Sequence, residues 1–292
     1  MSFKETKSEI INLEPNLKAL LRIWLPENKP NAIFLAVHGL LAHSGDWVTL
    51  ASYFKTKGIA TYGADLRFHG THYQHNKGKN IGHVDSYDDY IKDINTVLDM
   101  IKSAYPSIPV FLVGHSMGGL ISLIFGLKIA QNDSNIKGII ISSPWLQNKV
   151  KVNRVLLSFS KIIAKIMPRF AVKGEPLNHL LTRDKAITKR HFEDEEKGLR
   201  ISKVTAKFGV NTFKTQEWVL NNIKNWKDYP LFSVIAGNDQ VAVSEVAINA
   251  IKTIDPNLST MIVYEDNYHE NFNEINREEI YEKIYGWIQN YL

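Results

Sequence analysis

Short runs of apolar residues recur along the chain, separated by polar or amphipathic stretches. The runs cover residues 32–37, 59–63, 108–113, 137–142, 231–236 and 260–264. Continuous apolar runs of this length are typical of strands that helices cover on both faces. An earlier pair of runs, 10–13 and 19–25, is separated by Pro15 and Asn16 and predicts an N-terminal hairpin.

Helical patterns alternate with these strands. They cover residues 46–57, 86–104, 243–254 and 276–292, and a further helix follows residue 113 directly. Ser86 and Asp89 have the three-residue spacing of a capping box at the start of one of them. Strands that alternate with helices predict an α/β fold with a mostly parallel, doubly wound sheet of about eight strands. Ligand sites in such sheets lie beyond the carboxyl ends of the strands.

The alternation is interrupted between residues 146 and 228, after the sixth strand. This stretch contains only helix-like patterns, at 155–167, 184–196 and 212–224. We therefore expect a core domain formed by residues 1–145 and 229–292, with a helical insertion formed by residues 146–228.

The insertion is basic and the rest of the chain is acidic. Residues 146–228 contain 18 Lys and Arg against 8 Asp and Glu, whereas the remainder contains 17 against 22. Such asymmetry is typical of attraction to phosphate-bearing surfaces such as anionic membranes, and a solvated helical face explains it equally well. We expect peripheral contact between this basic segment and an anionic membrane, and no nucleic acid partner.

The chain of 292 residues contains no cysteine, which excludes disulfides, thiolate nucleophiles and cysteine zinc sites. The N-terminus mixes charges of both signs and lacks the apolar core of a signal peptide. The run at 155–167 is too short to span a bilayer. These features predict a cytoplasmic protein that is at most peripheral to a membrane.

The sequence Gly114-His115-Ser116-Met117-Gly118 lies between a predicted strand and a predicted helix. This G-x-S-x-G pattern is typical of a nucleophile elbow, in which the serine hydroxyl is exposed above the sheet on a strained turn. The pattern alone also arises by chance. A nucleophilic Ser116 requires a base, an acid that orients the base, and hydrogen-bond donors for an oxyanion.

Each of these partners has a candidate in the expected order. Asp239 follows the strand at 231–236, and His269 follows the strand at 260–264. We predict that His269 accepts the Ser116 proton and that Asp239 orients His269, with Asp266 as the alternative acid. The backbone N–H groups of Leu40 and Met117 are the predicted oxyanion donors. No catalytic role is predicted for the remaining candidates, His43, His115 and His191.

Four histidines close in sequence also suggest a metal site, namely His69, His72, His75 and His83. Gly70 and Gly78 argue against one helix that presents them together. A polar loop is therefore the favoured interpretation. We expect neither a metal nor a cofactor, and the phosphate-binding pattern G-x-x-x-x-G-K-[ST] is absent from the sequence.

Four segments resemble the monoacylglycerol lipase and lysophospholipase branch of the α/β-hydrolase superfamily. They begin at His38-Gly39-Leu40, Asp65-Leu66-Arg67-Phe68-His69-Gly70, Gly114-His115-Ser116 and His269-Glu270-Asn271-Phe272-Asn273-Glu274. The family commonly has glycine and serine where this chain has Phe68 and His72. The resemblance covers nearly the whole chain and implies the α/β-hydrolase fold.

The resemblance also implies that the insertion is a helical cap that covers the active site and forms an acyl-chain tunnel. The apolar positions in 155–167, with Lys161 and Lys165 between them, agree with a cap or equally with an interior face. We expect hydrolysis of monoacylglycerols or lysophospholipids. The alternatives are a short-chain carboxylesterase, a peptidase that uses the acidic run Glu193 to Glu196, and a non-catalytic receptor on the same fold.

Overall fold

The computed structural model describes residues 4–71, 82–149, 154–173 and 177–292. Eight strands of this described part form one sheet, and two short strands form a separate antiparallel pair. In chain order the strands are β1 (Lys7–Glu14), β2 (Leu17–Trp24), β3 (Ala32–Val37), β4 (Ile59–Ala64), β5 (Val110–His115), β6 (Ile136–Ser142), β7 (Ala171–Lys173), β8 (Lys203–Thr205), β9 (Leu231–Ala236) and β10 (Ser259–Tyr264).

The strand order in the large sheet is β1-β2-β4-β3-β5-β6-β9-β10. Strands β1 and β2 form an antiparallel hairpin, and β2 pairs antiparallel with β4. All other neighbours are parallel. The predicted hairpin and the mostly parallel sheet are therefore confirmed. The register pairs Val37 with Gly114 and His115 with Ser142, so the carboxyl ends of β3, β5 and β6 lie at one edge.

Helices cover both faces of this sheet. The described helices are α1 (Val48–Thr56), α2 (Asp88–Ala104), α3 (Met117–Lys128), α4 (Gln131–Ser134), α5 (Arg154–Ile166), α6 (Lys185–Glu196), α7 (Ala206–Asn222), α8 (Ser244–Ile251) and α9 (Arg277–Ile288). Alternate residues of β3 face opposite sides: Ile33 and Leu35 belong to the cluster with α2 and α3, and Phe34 to the one with α1 and α9. The continuous apolar run of β3 therefore serves two cores.

Side-chain caps explain where several helices begin. Asp89 accepts a hydrogen bond from Ser86 N (3.2 Å), and Ser86 Oγ accepts one from Asp88 N (3.2 Å), so the expected reciprocal cap is present. The helix predicted at 212–224 begins earlier, at Ala206, because Thr205 Oγ1 accepts a hydrogen bond from the N–H of Phe208 at 3.1 Å. This cap was not predicted.

The segment between β6 and β9, residues 146–228, contains α5, α6, α7 and the β7–β8 pair. Several of its basic side chains form ion pairs with acidic residues outside the segment. Arg200 lies 2.7 Å from Asp46, and Lys207 pairs with Asp85. The charge difference between this segment and the rest of the chain is therefore partly neutralised inside the fold. Among the described residues, no helix has the length and hydrophobicity that a membrane span requires.

Candidate active site

Ser116 lies at the junction between β5 and α3, where the sequence predicts the elbow. Its backbone has φ 55° and ψ −115°, in a region that non-glycine residues rarely occupy. Such strain costs on the order of 1–3 kcal/mol and persists only where the surroundings impose it. Here Ser116 N donates to Ser142 O (2.9 Å), and Ser116 O accepts from Trp145 N (3.0 Å). These two bonds fix the turn at the end of β6.

Two glycines allow the backbones to cross at the elbow. A Cβ on Gly118 would clash with the carbonyl group of Val37 at the end of β3, and a Cβ on Gly114 would clash with the carbonyl oxygen of Gly118. Because these obstacles are backbone atoms, no side-chain adjustment can relieve the clash. The spacing of the motif therefore follows from the close approach of β3, β5 and α3.

Ser116, His269 and Asp239 are brought together at the carboxyl edge of the sheet. His269 Nε2 lies 2.7 Å from Ser116 Oγ, and His269 Nδ1 lies 2.7 Å from Asp239 Oδ2. All three side chains are buried. In this arrangement the Ser116 hydroxyl donates to a neutral imidazole, whose Nδ1–H donates to the carboxylate. Asp266, the alternative acid, is exposed to solvent.

The surroundings of Asp239 keep it ionised. Its Oδ1 accepts hydrogen bonds from the N–H groups of Val241 (2.7 Å) and Ala242 (2.9 Å). Burial alone would raise the pKa of Asp239, but His269 and these two N–H groups hold it below its ordinary value. A carboxylate beside an imidazole stabilises the imidazolium that forms when serine loses its proton.

The loop after β3 lies against Ser116. An ideal Cβ on Gly39 would be 3.2 Å from Ser116 Cβ, and Leu40, the predicted oxyanion donor, follows directly and lines the Ser116 cavity. His38 fixes this loop, because its Nδ1–H donates to Gly39 O (2.8 Å) and its Nε2 accepts from Leu66 N (2.9 Å). Burial lowers the pKa of His38 to about 4, so the imidazole is neutral. The N–H of Met117 is the first of α3 and has no partner one turn earlier within that helix.

The segment that starts at Asp65 is hydrogen-bonded to the loop after β3. Asp65 is fully buried and accepts hydrogen bonds from Ser44 N (2.8 Å), Thr71 N (2.9 Å) and Arg22 Nη1 (3.1 Å). Burial would raise the pKa of Asp65, but the guanidinium of Arg22 and the other groups lower it to about 2. Phe68, where the family commonly has glycine, has φ 62°.

The histidines that suggested a metal site have separate partners where they are described. The ring of His69 packs edge-on against His38 at 5.3 Å, and His83 Nδ1 lies 2.9 Å from Thr205 Oγ1. His72 and His75 lie outside the described residues. The polar-loop interpretation therefore stays a prediction for this segment.

A cavity of about 100 Å³ adjoins Ser116 and His269. Most of its wall is apolar and comes from both the core and the segment at 146–228: Leu40, Leu41, Trp145, Leu177, Leu181 and Val241. Its polar part contains Asn178, Arg200 and Glu270. The cavity thus joins an apolar wall to a small set of hydrogen-bonding and charged groups beside the candidate nucleophile.

A buried cluster of charged residues behind this polar part was not predicted. It links the loop after β3, α6 and the loop after β10, and consists of His43, Asp46, Arg190, His191, Asp194, Arg200 and Glu270. His43 Nε2 lies 3.1 Å from Asp194 Oδ2. Ile187, His191 and Asp194 are the buried residues of α6, at helical spacing of four and three. This spacing was the signal in the sequence that these polar residues face inward.

Two groups within this cluster could offer metal ligands, His43 with Asp46 and Asp194, and Asp46 with His191 and Glu270. The donor atoms of each group lie within 4.8 Å of one another. However, Asp46 already lies 2.7 Å from Arg200 and 3.6 Å from Arg190. The guanidinium groups supply the compensating positive charge, so the cluster fits an internal ion-pair network better than a cation site.

Comparison with known proteins assigns the chain to a family. The family model described as "Serine aminopeptidase, S33" (Hydrolase_4) matches residues 28–276. The chain belongs to the Hydrolase_4 family. The predicted resemblance to α/β-hydrolases of the monoacylglycerol lipase branch is confirmed, and so is the α/β-hydrolase fold.

Several relatives match most of this Hydrolase_4 chain. It is 27% identical to phospholipase YtpA of Bacillus subtilis, covering 91% of this chain and 98% of the relative. It is 25% identical to a monoacylglycerol lipase of Mycolicibacterium smegmatis, covering 92% of each. An abhydrolase domain-containing protein of Dictyostelium discoideum is 29% identical over 92% of this chain, which spans only 27% of that longer protein.

Solved structures support the fold. A monoacylglycerol lipase from Paleococcus ferrophilus has a TM-score of 0.77 at 24% identity, over 96% of this chain and 98% of that one. A soluble variant of monoglyceride lipase from Saccharomyces cerevisiae, in complex with a substrate analogue, has a TM-score of 0.83 at 18% identity, over 97% and 95%. At these identities the likeness concerns the fold alone.

Proposed function

We propose that this Hydrolase_4 chain, a hydrolase that acts on esters, cleaves carboxylic esters of single-chain lipids through a Ser116 acyl-enzyme. The observation that carries the proposal is the position of His269, 2.7 Å from both Ser116 Oγ and Asp239 Oδ2. The names of the relatives, monoacylglycerol lipase and phospholipase, favour lipid esters.

The reaction follows from these contacts. His269 Nε2 accepts the hydroxyl proton as Ser116 Oγ attacks the ester carbonyl carbon, and Asp239 stabilises the imidazolium. The N–H groups of Leu40 and Met117 donate to the oxyanion. When the carbonyl re-forms, the bond between carbon and the alcohol oxygen breaks, and His269 returns the proton to the alcohol. Water, deprotonated by His269, then releases the fatty acid from Ser116.

We propose that residues 146–228 form a cap over this site. Leu177 and Leu181 contribute apolar surface to the wall of the Ser116 cavity, and Trp145 precedes the segment directly. Asn178 contributes the polar part. Such a cap supplies apolar surface for an acyl chain and a polar side chain for a head group beside Ser116.

The charges at the polar part of the cavity favour an uncharged head group, and we propose monoacylglycerol over lysophospholipid. Arg200 lines the cavity but is paired with Asp46 at 2.7 Å. The cluster behind the cavity contains three carboxylates and two guanidinium groups, namely Asp46, Asp194 and Glu270 against Arg190 and Arg200, with His43 and His191 beside the carboxylates. A phosphate here would add negative charge to a region where carboxylates already predominate, whereas glycerol hydroxyls can both donate and accept.

Two substrates test this preference, 1-oleoylglycerol and 1-oleoyl lysophosphatidate, which share the acyl chain and differ in a phosphate. We expect kcat/KM to be at least about tenfold higher for 1-oleoylglycerol, because the carboxylates of the adjoining cluster outnumber its guanidinium groups. The measurement is fatty-acid release from mixed detergent micelles. Glu270→Gln should bring the kcat/KM values of the two substrates closer together, since it removes one carboxylate. Equal rates, or faster release from lysophosphatidate, would contradict the assignment.

An outward patch on the proposed cap supports a lipid surface as partner. Five apolar side chains between Ile162 and Val172 are exposed, namely Ile162 (56%), Ile166 (73%), Met167 (56%), Phe170 (47%) and Val172 (55%). Exposed basic residues lie among them or directly beside them, namely Lys161, Lys165, Arg169 and Lys173. The predicted positions Val155, Leu156 and Phe159 have side chains outside the described residues. Apolar anchors among cations suit an anionic membrane.

Sedimentation with vesicles tests this surface. We expect the wild-type protein to sediment with vesicles that contain phosphatidylglycerol and to bind phosphatidylcholine vesicles less. Ile166→Asp with Met167→Asp should reduce the bound fraction at least about tenfold, because both apolar anchors become anionic. Ile10→Asp is the matched control, since Ile10 is 47% exposed on the N-terminal hairpin. Equal binding of the double variant and the control would exclude this patch as the contact.

A further inference from the structure

The loop that carries His269 is attached to the segment just before α6 by a dense set of hydrogen bonds. The N–H of Glu270 donates to Leu181 O at 2.7 Å. The next two residues of that segment contact the same loop: Thr182 Oγ1 donates to Asn273 O (2.9 Å), and Arg183 donates to Asn267 Oδ1 (2.8 Å) and Glu274 Oε2 (3.1 Å). Residues 181–183 are therefore bonded to both sides of His269 within this loop, at Asn267 and at Glu270, Asn273 and Glu274.

His191 adds a contact from α6 itself. It is fully buried, and its Nε2 lies 3.3 Å from Glu270 Oε2, within ion-pair distance but without the geometry of a hydrogen bond. Glu270 Oε2 accepts a hydrogen bond from Asn273 Nδ2 at 2.9 Å. Burial alone would raise the pKa of Glu270, but the facing His191 and Arg200 hold it below its ordinary value. Glu270 lines the Ser116 cavity, whereas His191 lies behind it and is absent from the described lining.

We propose that His191 is a positioning residue for the reaction: through Glu270 it holds the loop that places His269 between Ser116 and Asp239. Helix α6 is then a fixed part of the active site. The inference rests on the proposed function, because it concerns the base of that reaction. Displacing a catalytic group by about 1 Å costs on the order of 100-fold in rate.

His191→Leu tests the role, with p-nitrophenyl butyrate as substrate. We expect kcat to fall about 10- to 100-fold while KM stays within about twofold, because His191 supports His269 and does not contact the cavity. His191→Gln, whose amide can reach Glu270, should recover most of the lost kcat. His179→Leu is the matched control, since His179 lies exposed in the same segment.

Fluorophosphonate labelling separates this inference from the proposed function. If the probe does not label Ser116 in the wild-type protein, the proposed function itself is contradicted. Rapid wild-type labelling together with an unchanged kcat in His191→Leu, or a loss confined to KM, would overturn the positioning role alone. If His191→Leu does not fold, Glu270→Gln serves as the test, because glutamine has nearly the size of glutamate. We expect the same fall in kcat for Glu270→Gln.

Discussion

Replacing Ser116 with alanine is expected to lower ester turnover at least about 10⁴-fold without disrupting the fold. The hydroxyl is the only part of the side chain that contacts His269, at 2.7 Å, so its removal eliminates the nucleophile and leaves the base in place. The strained backbone at φ 55° stays, because alanine also has a Cβ. Hydrolysis of p-nitrophenyl butyrate measures the loss, and circular dichroism melting checks the fold.

A fluorophosphonate probe gives the independent readout. The wild-type protein should become labelled and Ser116→Ala should not. Ser107→Ala is the control, because Ser107 is exposed near the opposite end of β5. Labelling of both Ser116→Ala and wild type would show that another residue is the nucleophile.

The elbow could be predicted from the sequence because its determinants are local. Gly114 and Gly118 are needed where backbones cross, and both lie within two residues of Ser116. Asp239 and His269 are distant in sequence, but each follows its own strand, and the carboxyl ends of parallel strands share one edge of the sheet. Their proximity thus follows from the fold class.

The buried cluster behind the cavity could not be predicted in the same way. Asp46 and Arg200 are 154 positions apart, and their pairing depends on how residues 146–228 pack on the core. His43, His191 and Asp194 are polar residues that are most often exposed, so composition gave no reason to bury them. Only the helical spacing within α6, which places His191 and Asp194 on the same face as Ile187, indicated that these two residues are buried.

The excess of basic residues in 146–228 also depends on how this segment packs on the core. Part of the excess charge is used inside the protein, where Arg183 pairs with Glu274 and Arg200 with Asp46. The sequence count alone cannot separate these paired side chains from solvent-exposed ones. The proposed membrane contact involves four of the exposed basic residues, Lys161, Lys165, Arg169 and Lys173, because these lie among or beside exposed apolar side chains.

Asp239→Asn is expected to lower kcat about 10³- to 10⁴-fold with the geometry almost unchanged. Asp239 Oδ2 lies 2.7 Å from His269 Nδ1 and accepts its hydrogen. An asparagine side chain placed in the same pocket can present its NH₂ group, which favours the tautomer with the proton on Nε2. That proton faces Ser116 Oγ and prevents the imidazole from accepting the hydroxyl proton. The loss should appear in kcat for p-nitrophenyl butyrate.

The comparison with Asp266→Asn decides between the two candidate acids. Asp266 is exposed, so its substitution should change kcat less than about twofold, as is usual for a solvated surface charge. A larger loss in Asp266→Asn than in Asp239→Asn would reverse the assignment and place the orienting acid on the loop after β10.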